Sequence, residues 1–255
     1  MSDGTKQEMK IGHHSSESEL TIREQFTSTF KNCPIPENEL RKNLGLFLNR
    51  QTLSKMLFMH ELYRKILDVH GVIMEFGVRW GQNLALFESY RGIYEPYNFN
   101  RKIIGFDTFC GFPSIHPKDK ESDTITIGGY SVTEGYEEYL EEVLDYHEQE
   151  SPTSHIKKYQ LVKGDVKETI DKYLQENPET IVAFAYFDLD LYEPTKKCLE
   201  AIGEHLTKGS VLGFDELNWR DAPGETLAVK EVLGLSKYKI RRSPLLPAAA
   251  YIIID

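Results

Sequence analysis

An α/β fold with a mostly parallel, seven-stranded sheet, an antiparallel last strand and extra N-terminal helices is predicted from three observations. Short apolar runs alternate with helical segments after residue 71, as in sheets that carry helices on both faces. The run at 181–187 is apolar throughout, which is typical of a central strand buried on both sides. The last two runs are separated only by residues 243–247, and this short spacing indicates a closing hairpin.

Each element follows from the spacing of its apolar residues, which is helical over residues 37–69. The predicted strands are 72–76, 102–106, 159–162, 181–187, 210–214, 238–242 and 249–254, and the helices between them are 82–90, 133–148, 166–175, 194–206 and 225–233. The chain therefore divides into a polar, disordered N-terminus (1–19), a helical extension (20–70) and an α/β domain (71–255).

Composition and charge restrict the partners. A net charge of −10 disfavours a nucleic-acid partner, because binding phosphates needs a basic face. No apolar run approaches the roughly 20 residues that span a membrane, and residues 1–20 lack the apolar core of a secretory signal. Three cysteines without a paired spacing favour a reducing, cytoplasmic location. We expect a small-molecule substrate, and the N-terminal helices favour a homo-oligomer or a cover over the active site.

A glycine turn follows the first predicted strand, where Glu75, Gly77 and Gly81 form the pattern Glu-x-Gly-x-x-x-Gly. Glycine lets the backbone turn sharply and approach a ligand, and the helix behind it offers free amides to an anionic group. The second strand ends at Asp107, which can accept hydrogen bonds from the ribose of an adenosine-type cofactor. Asp165, after the third strand, is placed either to reach the adenine or to cap a helix. Together these residues favour S-adenosylmethionine (SAM) over a dinucleotide.

Acidic side chains follow two later strands. Asp188 and Asp190 come directly after the 181–187 run, and Asp215 and Glu216 follow the next strand. A right-handed crossover makes these strands neighbours, so that their ends lie about 5 Å apart. Convergence of Asp188, Asp215 and Glu216 favours a divalent cation, and oxygen ligands favour Mg²⁺. Helix capping is the alternative interpretation, which we favour for Asp190.

These motifs resemble the macrocin O-methyltransferase (TylF-like) family of SAM- and metal-dependent sugar O-methyltransferases. The resemblance spans roughly residues 72–233. Its most specific stretches are Phe-Asp-Thr-Phe-Cys-Gly-Phe-Pro at 106–113 and Asp-Leu-Asp-Leu-Tyr-Glu-Pro-Thr at 188–195. It implies a Rossmann-like class I methyltransferase fold, SAM and Mg²⁺ as cofactors, and a deoxysugar hydroxyl as acceptor. The sugar would be nucleotide-activated or attached to a natural product, in antibiotic biosynthesis.

The resemblance also implies roles for individual residues. Asp188, beside the cofactor, and the pair Asp215 and Glu216 match the metal ligands, although the family pair is usually Asp-Asp. The family's histidine base maps to His116, in the segment after the second strand. Two other functions stay open: a metal-dependent catechol or phenol O-methyltransferase, and an Asp-x-Asp metal-dependent glycosyltransferase. The glycosyltransferase would need neither the glycine turn nor the second acidic pair.

Overall fold

The computed structural model describes residues 15–120, 122 and 124–255 and has a single seven-stranded sheet at its centre. The strands are β1 Val72–Phe76, β2 Ile103–Asp107, β3 Tyr159–Lys163, β4 Val182–Phe187, β5 Leu206–Phe214, β6 Arg241–Arg242 and β7 Ala250–Ile253. The helices are α1 Glu17–Lys31, α2 Glu37–Leu40, α3 Arg50–Lys65, α4 Gln82–Tyr94, α5 Tyr136–Glu150, α6 Val166–Glu176, α7 Tyr192–Ile202 and α8 Gly224–Val232, with 3₁₀ segments at Arg41–Phe47 and Gly203–His205.

The strand order is β3-β2-β1-β4-β5-β7-β6, and β7 is antiparallel to both of its neighbours. The pairs from β3 to β5 are parallel, so the predicted sheet and its closing hairpin are confirmed. The strand predicted at 238–242 is shorter, because only Arg241 and Arg242 pair with β7. The strand order reverses between β1 and β4, and this reversal opens a crevice at their carboxyl ends.

Three helices cover each face of the sheet. Residues of α3, α4 and α5 pack in one apolar core with Ile73 of β1, whereas α6, α7 and α8 pack in the other with Met74. Adjacent residues of β1 therefore serve opposite cores, as the pleat of a strand requires. Part of the predicted N-terminal extension thus belongs to the core of the α/β domain, since α3 buries Phe58 and Leu62 there.

A buried arginine fixes the connection between α3 and β1. The Arg101 guanidinium donates hydrogen bonds to three main-chain carbonyl oxygens of this connection, including Ile66 at 2.9 Å and Gly71 at 2.6 Å. Arg101 also pairs with Glu95 at 3.0 Å, and Glu95 accepts a hydrogen bond from Tyr63 of α3 at 2.7 Å. Because each buried donor finds an acceptor, α3 is held firmly against the sheet.

Helix α1 begins earlier than the sequence indicates. Ser16 caps it by accepting a hydrogen bond from the Glu19 amide, and Glu19 bonds back to the Ser16 amide. The predicted disordered segment 1–19 is therefore wrong at its last residues, because this capping box starts a helix there; residues 1–14 lie outside the described residues. No side chain of α1 is buried, and Ile22 is 63% exposed.

The helices bear on two predictions, that the chain does not span a membrane and that it forms a homo-oligomer. Over the described residues, every helix is too short or too polar to cross a membrane. The homo-oligomer stays a prediction, which the exposed apolar side chains of α1 support.

Candidate active site

A cavity of about 440 Å³ lies at the carboxyl ends of β1, β2, β4 and β5. Its volume falls in the usual range of small-molecule sites, about 300–1,000 Å³. It occupies the crevice where the strand order reverses. Of the residues predicted to bind cofactor or metal, the lining includes Gly77, Gly81, Asp107, Asp165, Asp188, Asp215 and Glu216. Glu75 and His116 are not part of it.

The turn after β1 brings the main chain of two strands into contact. Gly77 has a φ of +90°, and a Cβ atom there would lie 1.9 Å from the Asp188 carbonyl oxygen. Its amide donates to the Phe106 carbonyl at 3.0 Å. Only glycine fits this position, because a side chain would both strain the backbone and overlap the end of β4. The close approach that the structure shows at Gly77 is between two main-chain segments, and the approach to a ligand stays a prediction.

Asp107 is held by the backbone around it. One carboxylate oxygen accepts the Arg79 amide at 2.8 Å and the other accepts the Phe109 amide at 2.6 Å. These two bonds join the turn after β1 to the loop after β2, while the carboxylate still lines the cavity. Each oxygen keeps a free lone pair, so the group can also accept ribose hydroxyls.

Glu75 lies behind the cavity. It is 1% exposed, and Oε1 accepts a hydrogen bond from Asn83 Nδ2 at 2.7 Å. Burial raises the pKa of Glu75 well above its usual range. Glu75 Oε2 and Asn83 Oδ1 have no hydrogen-bond partner among the described residues, although Asn83 lines the cavity. Asn83 is not among the residues predicted from the sequence, since an asparagine in the first turn of a helix carries no distinctive signal.

Asp165 serves as the N-cap of α6. Its carboxylate accepts the Lys167 amide at 3.0 Å, as helix capping predicts. The residue also lines the cavity. The two interpretations that the sequence leaves open are therefore compatible, because a capping carboxylate keeps further acceptor sites.

The ends of β4 and β5 form the acidic half of the cavity. Burial, and then the charge of Asp215, raise the pKa of Asp188 above its usual range. Burial, and then the charges of Asp215 and Asp188, raise the pKa of Glu216 to about 7. The pKa of Asp190 is also raised well above normal, first by burial and then by Asp188. Like charges crowd this edge of the sheet and disfavour one another's ionised forms.

Lys55 of α3 supplies a cation to this acidic half. Its Nζ atom lies 3.0 Å from Asp188 Oδ2 and 3.3 Å from Asp215 Oδ1. The two carboxylates raise the pKa of the Lys55 ammonium, so that it stays charged although burial opposes this. Asp215 Oδ1 also accepts the Tyr186 hydroxyl at 2.6 Å. No sequence signal marks Lys55, because a lysine on a helix is ordinarily solvated.

His116 lies outside the cavity lining, in a loop that is tied to α7. Its Nδ1 accepts the Lys118 amide at 3.1 Å, and its ring lies 4.9 Å from the Tyr192 ring. The Asp119 carboxylate accepts the amides of both His116 and Tyr192, at 3.0 and 2.8 Å. For His116 to act as the base, this hydrogen-bonded loop would have to move toward the cavity.

Comparison with solved structures identifies relatives of the whole chain. The crystal structure of CalS11, a calicheamicin methyltransferase, is 48% identical and aligns over 99% of both chains with a TM-score of 0.92. The chain belongs to the TylF-like O-methyltransferase family. An apo structure of CalS11, described as a TDP-rhamnose 3'-O-methyltransferase in calicheamicin biosynthesis, is 47% identical over 97% of this chain and 99% of that one, with a TM-score of 0.83.

A more distant structure supports the fold of this TylF-like methyltransferase. The O-methyltransferase NovP is 16% identical over 93% of this chain and 99% of its own, with a TM-score of 0.61. At this identity the match concerns only the fold, which is the predicted Rossmann-like class I methyltransferase fold. Scans against protein-family models and curated proteins found no match.

Two observations test whether the residues of the cavity fit SAM and Mg²⁺, the cofactors that the TylF-like family implies. The unpartnered Asn83 Oδ1 belongs to a residue that lines the cavity, and it is an acceptor suited to the ammonium of an amino acid such as the methionine part of SAM. Asp188, Asp215 and Glu216 have the chemistry of an Mg²⁺ ligand set, and the Lys55 ammonium already binds two of them. Among the described residues, no three acidic, histidine or cysteine side chains are arranged as a ready metal site.

Proposed function

We propose that this chain is a SAM- and Mg²⁺-dependent O-methyltransferase that acts on a hydroxyl of a nucleotide-activated deoxysugar. The observation that carries the acceptor class is the 48% identity to CalS11 over 99% of both chains. CalS11 itself is a TDP-rhamnose 3'-O-methyltransferase. A sugar with neighbouring hydroxyls also suits the acidic half of the cavity, because carboxylates can bind hydroxyls directly or through a divalent cation.

The cofactor half of the cavity would hold SAM through groups of fixed geometry. The Gly77 turn packs against the main chain after β4, Asn83 would offer an acceptor to the amino group with Glu75 behind it, and Asp107 would offer acceptors to the ribose. Asp165 lines the same cavity and would accept a hydrogen bond from the adenine amine. Bound SAM supplies an electrophilic methyl group on its sulfonium. The protein's part is to hold this methyl in line with the acceptor oxygen.

The acidic half would activate the acceptor. Asp188, Asp215 and Glu216 are the residues we propose as Mg²⁺ ligands, and bound Mg²⁺ would lower the pKa of a sugar hydroxyl. We propose a cavity carboxylate as the proton acceptor in place of His116. Asp190 lines the same cavity and is not one of these three proposed ligands, so it is the carboxylate left free to take the proton.

The loop after β2 would exclude water from the acceptor. Its described residues between 108 and 135 form neither helix nor strand, and Phe112 and Tyr130 line the cavity. The Arg79 guanidinium lies 4.9 Å from the centre of the Tyr130 ring. Aromatic side chains at this place give an apolar wall for a sugar ring.

Calorimetry and a methyl-transfer assay test the proposal. S-adenosylhomocysteine (SAH) should bind with micromolar affinity in both EDTA and Mg²⁺, on the order of −8 kcal/mol. SAM with Mg²⁺ should add one methyl group, detected by mass spectrometry, to TDP-rhamnose but not to catechol. Methylation of catechol alone would favour the phenol acceptor. A folded protein that binds neither SAM nor SAH would rule out a methyltransferase and bring the glycosyltransferase forward.

A further inference from the structure

Lys55 stands out because the acidic end of the sheet receives its cation from a different part of the chain. The lysine is on α3, which precedes the first strand, yet its Nζ atom contacts the carboxylates that follow β4 and β5. The lysine side chain is 30% exposed, and those of Asp188 and Asp215 are 26% and 25% exposed. The three groups are therefore largely shielded from water. Ion pairs in such a shielded place are stronger than ion pairs on the surface.

The other two cations of the cavity have different neighbours. Lys167 lies 3.0 Å from Glu193 and 3.6 Å from Asp165, at the cofactor end. The Arg79 guanidinium lies over the Tyr130 ring, and its charge also acts on Asp188 to lower that carboxyl's pKa. Six carboxylates line the cavity, namely Asp107, Asp165, Asp188, Asp190, Asp215 and Glu216. Lys55 is thus the cation that bridges the ends of the two acidic strands.

The backbone of Lys55 is fixed, whereas its side chain can move. The Tyr90 hydroxyl of α4 donates to the Met56 carbonyl at 2.9 Å, one residue after Lys55. The buried Arg101 holds the far end of the same helix through the Ile66 carbonyl. A lysine on such an anchored helix still has four rotatable side-chain bonds. Its ammonium can therefore leave the carboxylates without any rearrangement of the helix.

We infer that Lys55 is a tethered counter-ion that holds Asp188 and Asp215 together without metal and competes with a divalent cation for the same two carboxylates. This inference rests on the proposed metal site. A divalent cation and the ammonium repel each other at such short range, so one must withdraw when the other binds.

The competition predicts that removing the lysine charge strengthens metal binding. We expect Lys55→Met to bind Mn²⁺, titrated alone by calorimetry, about tenfold more tightly than the wild type. The metal-free variant should also melt at a lower temperature, because two unscreened carboxylates repel, and Mn²⁺ should raise its Tm more than it raises that of the wild type. A purely structural lysine would lower the Tm without improving metal binding.

Three further variants make the test specific. Lys65→Met removes the same charge from the last residue of the same helix, where the lysine pairs with Glu61, and should leave Mn²⁺ affinity unchanged. Lys55→Arg keeps a cation and should bind Mn²⁺ no more tightly than the wild type. Lys55→Gln, which can still donate to the carboxylates, replaces Lys55→Met if the latter does not fold.

The outcomes separate this inference from the proposed function. Competition between Lys55 and the metal is supported if Lys55→Met or Lys55→Gln binds Mn²⁺ more tightly than the wild type, whose binding is weaker or undetectable. Equal or weaker binding by folded neutral variants overturns it, while the methyltransferase proposal stands if SAH still binds in EDTA. If no protein binds Mn²⁺, both the inference and the proposed metal site fail, and SAH binding alone decides the methyltransferase proposal.

Discussion

The two halves of the cavity are built by different means. On the cofactor side, Asp107 and Asp165 each accept hydrogen bonds from main-chain amides of their own neighbourhood. In the acidic half, where we propose that the acceptor binds and which we call the acceptor half, Asp188 and Asp215 share the ammonium of Lys55. This lysine comes from a helix that is distant along the chain. The first half is therefore fixed by local backbone geometry, and the second depends on a balance of charges.

This difference predicts how each half responds to change. Backbone geometry tolerates no added atom but is insensitive to pH and salt. Crowded carboxylates tolerate changes in shape but respond to protons and cations, because each proton or cation relieves their repulsion. Substitutions at the cofactor half should therefore abolish binding, whereas those at the acceptor half should shift affinities and pH profiles.

The largest effect is expected for Gly77→Ala. The added Cβ would lie 1.9 Å from the Asp188 carbonyl oxygen, and a φ of +90° strains any side chain, at a cost of about 1–3 kcal/mol before the overlap is counted. The strand ends must separate, and a shift of about 1 Å can lower function roughly a hundredfold. We expect SAH affinity in calorimetry to fall by at least that factor.

The matched control for this substitution is Gly45→Ala. No atom lies within 4 Å of a Cβ there, and its backbone has no left-handed φ, so SAH affinity should stay at the wild-type value. Near-normal SAH binding by Gly77→Ala would show that the cofactor does not use this turn. Cofactor binding would then not depend on the fixed backbone geometry at Gly77.

What the sequence can predict follows the same division. Gly77, Asp107 and Asp165 occur at strand ends within a few residues of the strands that position them, and local patterns carry that information. The sheet and its closing hairpin are predictable for the same reason. Lys55 is not predictable, because its contacts with Asp188 lie 133 residues along the chain.

Two candidate residues lie away from the cavity lining for one physical reason. Glu75 is expected to contact the cofactor, but the structure buries it behind Asn83, because its strand is covered by helices on both faces. His116 matches a base by its position after the second strand, yet Asp119 pins its loop against Tyr192. Both placements depend on tertiary contacts that no local pattern encodes.

The next effect in size concerns the acceptor half and pH. Burial raises the pKa of Glu216 to about 7, and the pKa of Asp188 is raised as well. A metal binds the ionised carboxylate, so protonation competes with it. Because a group with a pKa near 7 is about 90% protonated at pH 6, we expect the Mn²⁺ affinity to fall by about tenfold or more from pH 8 to pH 6.

The sign of this effect can be checked on the metal-free protein and on a variant. The folded state keeps protons that the unfolded state has already released between about pH 4.5 and 7, so these groups make the metal-free protein less stable as pH rises through that range. Glu216→Gln should bind Mn²⁺ more weakly at pH 8 but with a shallower dependence on pH. An unchanged slope in this variant would assign the titration to another group.

The smallest effect is expected for His116→Ala, which separates the two candidates for the base. The ring lies outside the cavity, its Nδ1 already accepts the Lys118 amide, and the Asp119 carboxylate fixes its loop. We expect kcat/KM for methyl transfer to fall less than about tenfold, comparable with the exposed control His155→Ala, whereas removal of a general base costs about 10²–10⁴-fold. A loss of the larger size, together with a pH profile that loses its acidic limb, would show that the loop carries His116 into the cavity during turnover. The acceptor half would then depend on a moving loop as well as on the mobile side chain of Lys55. The two halves would therefore differ in backbone mobility as well as in charge.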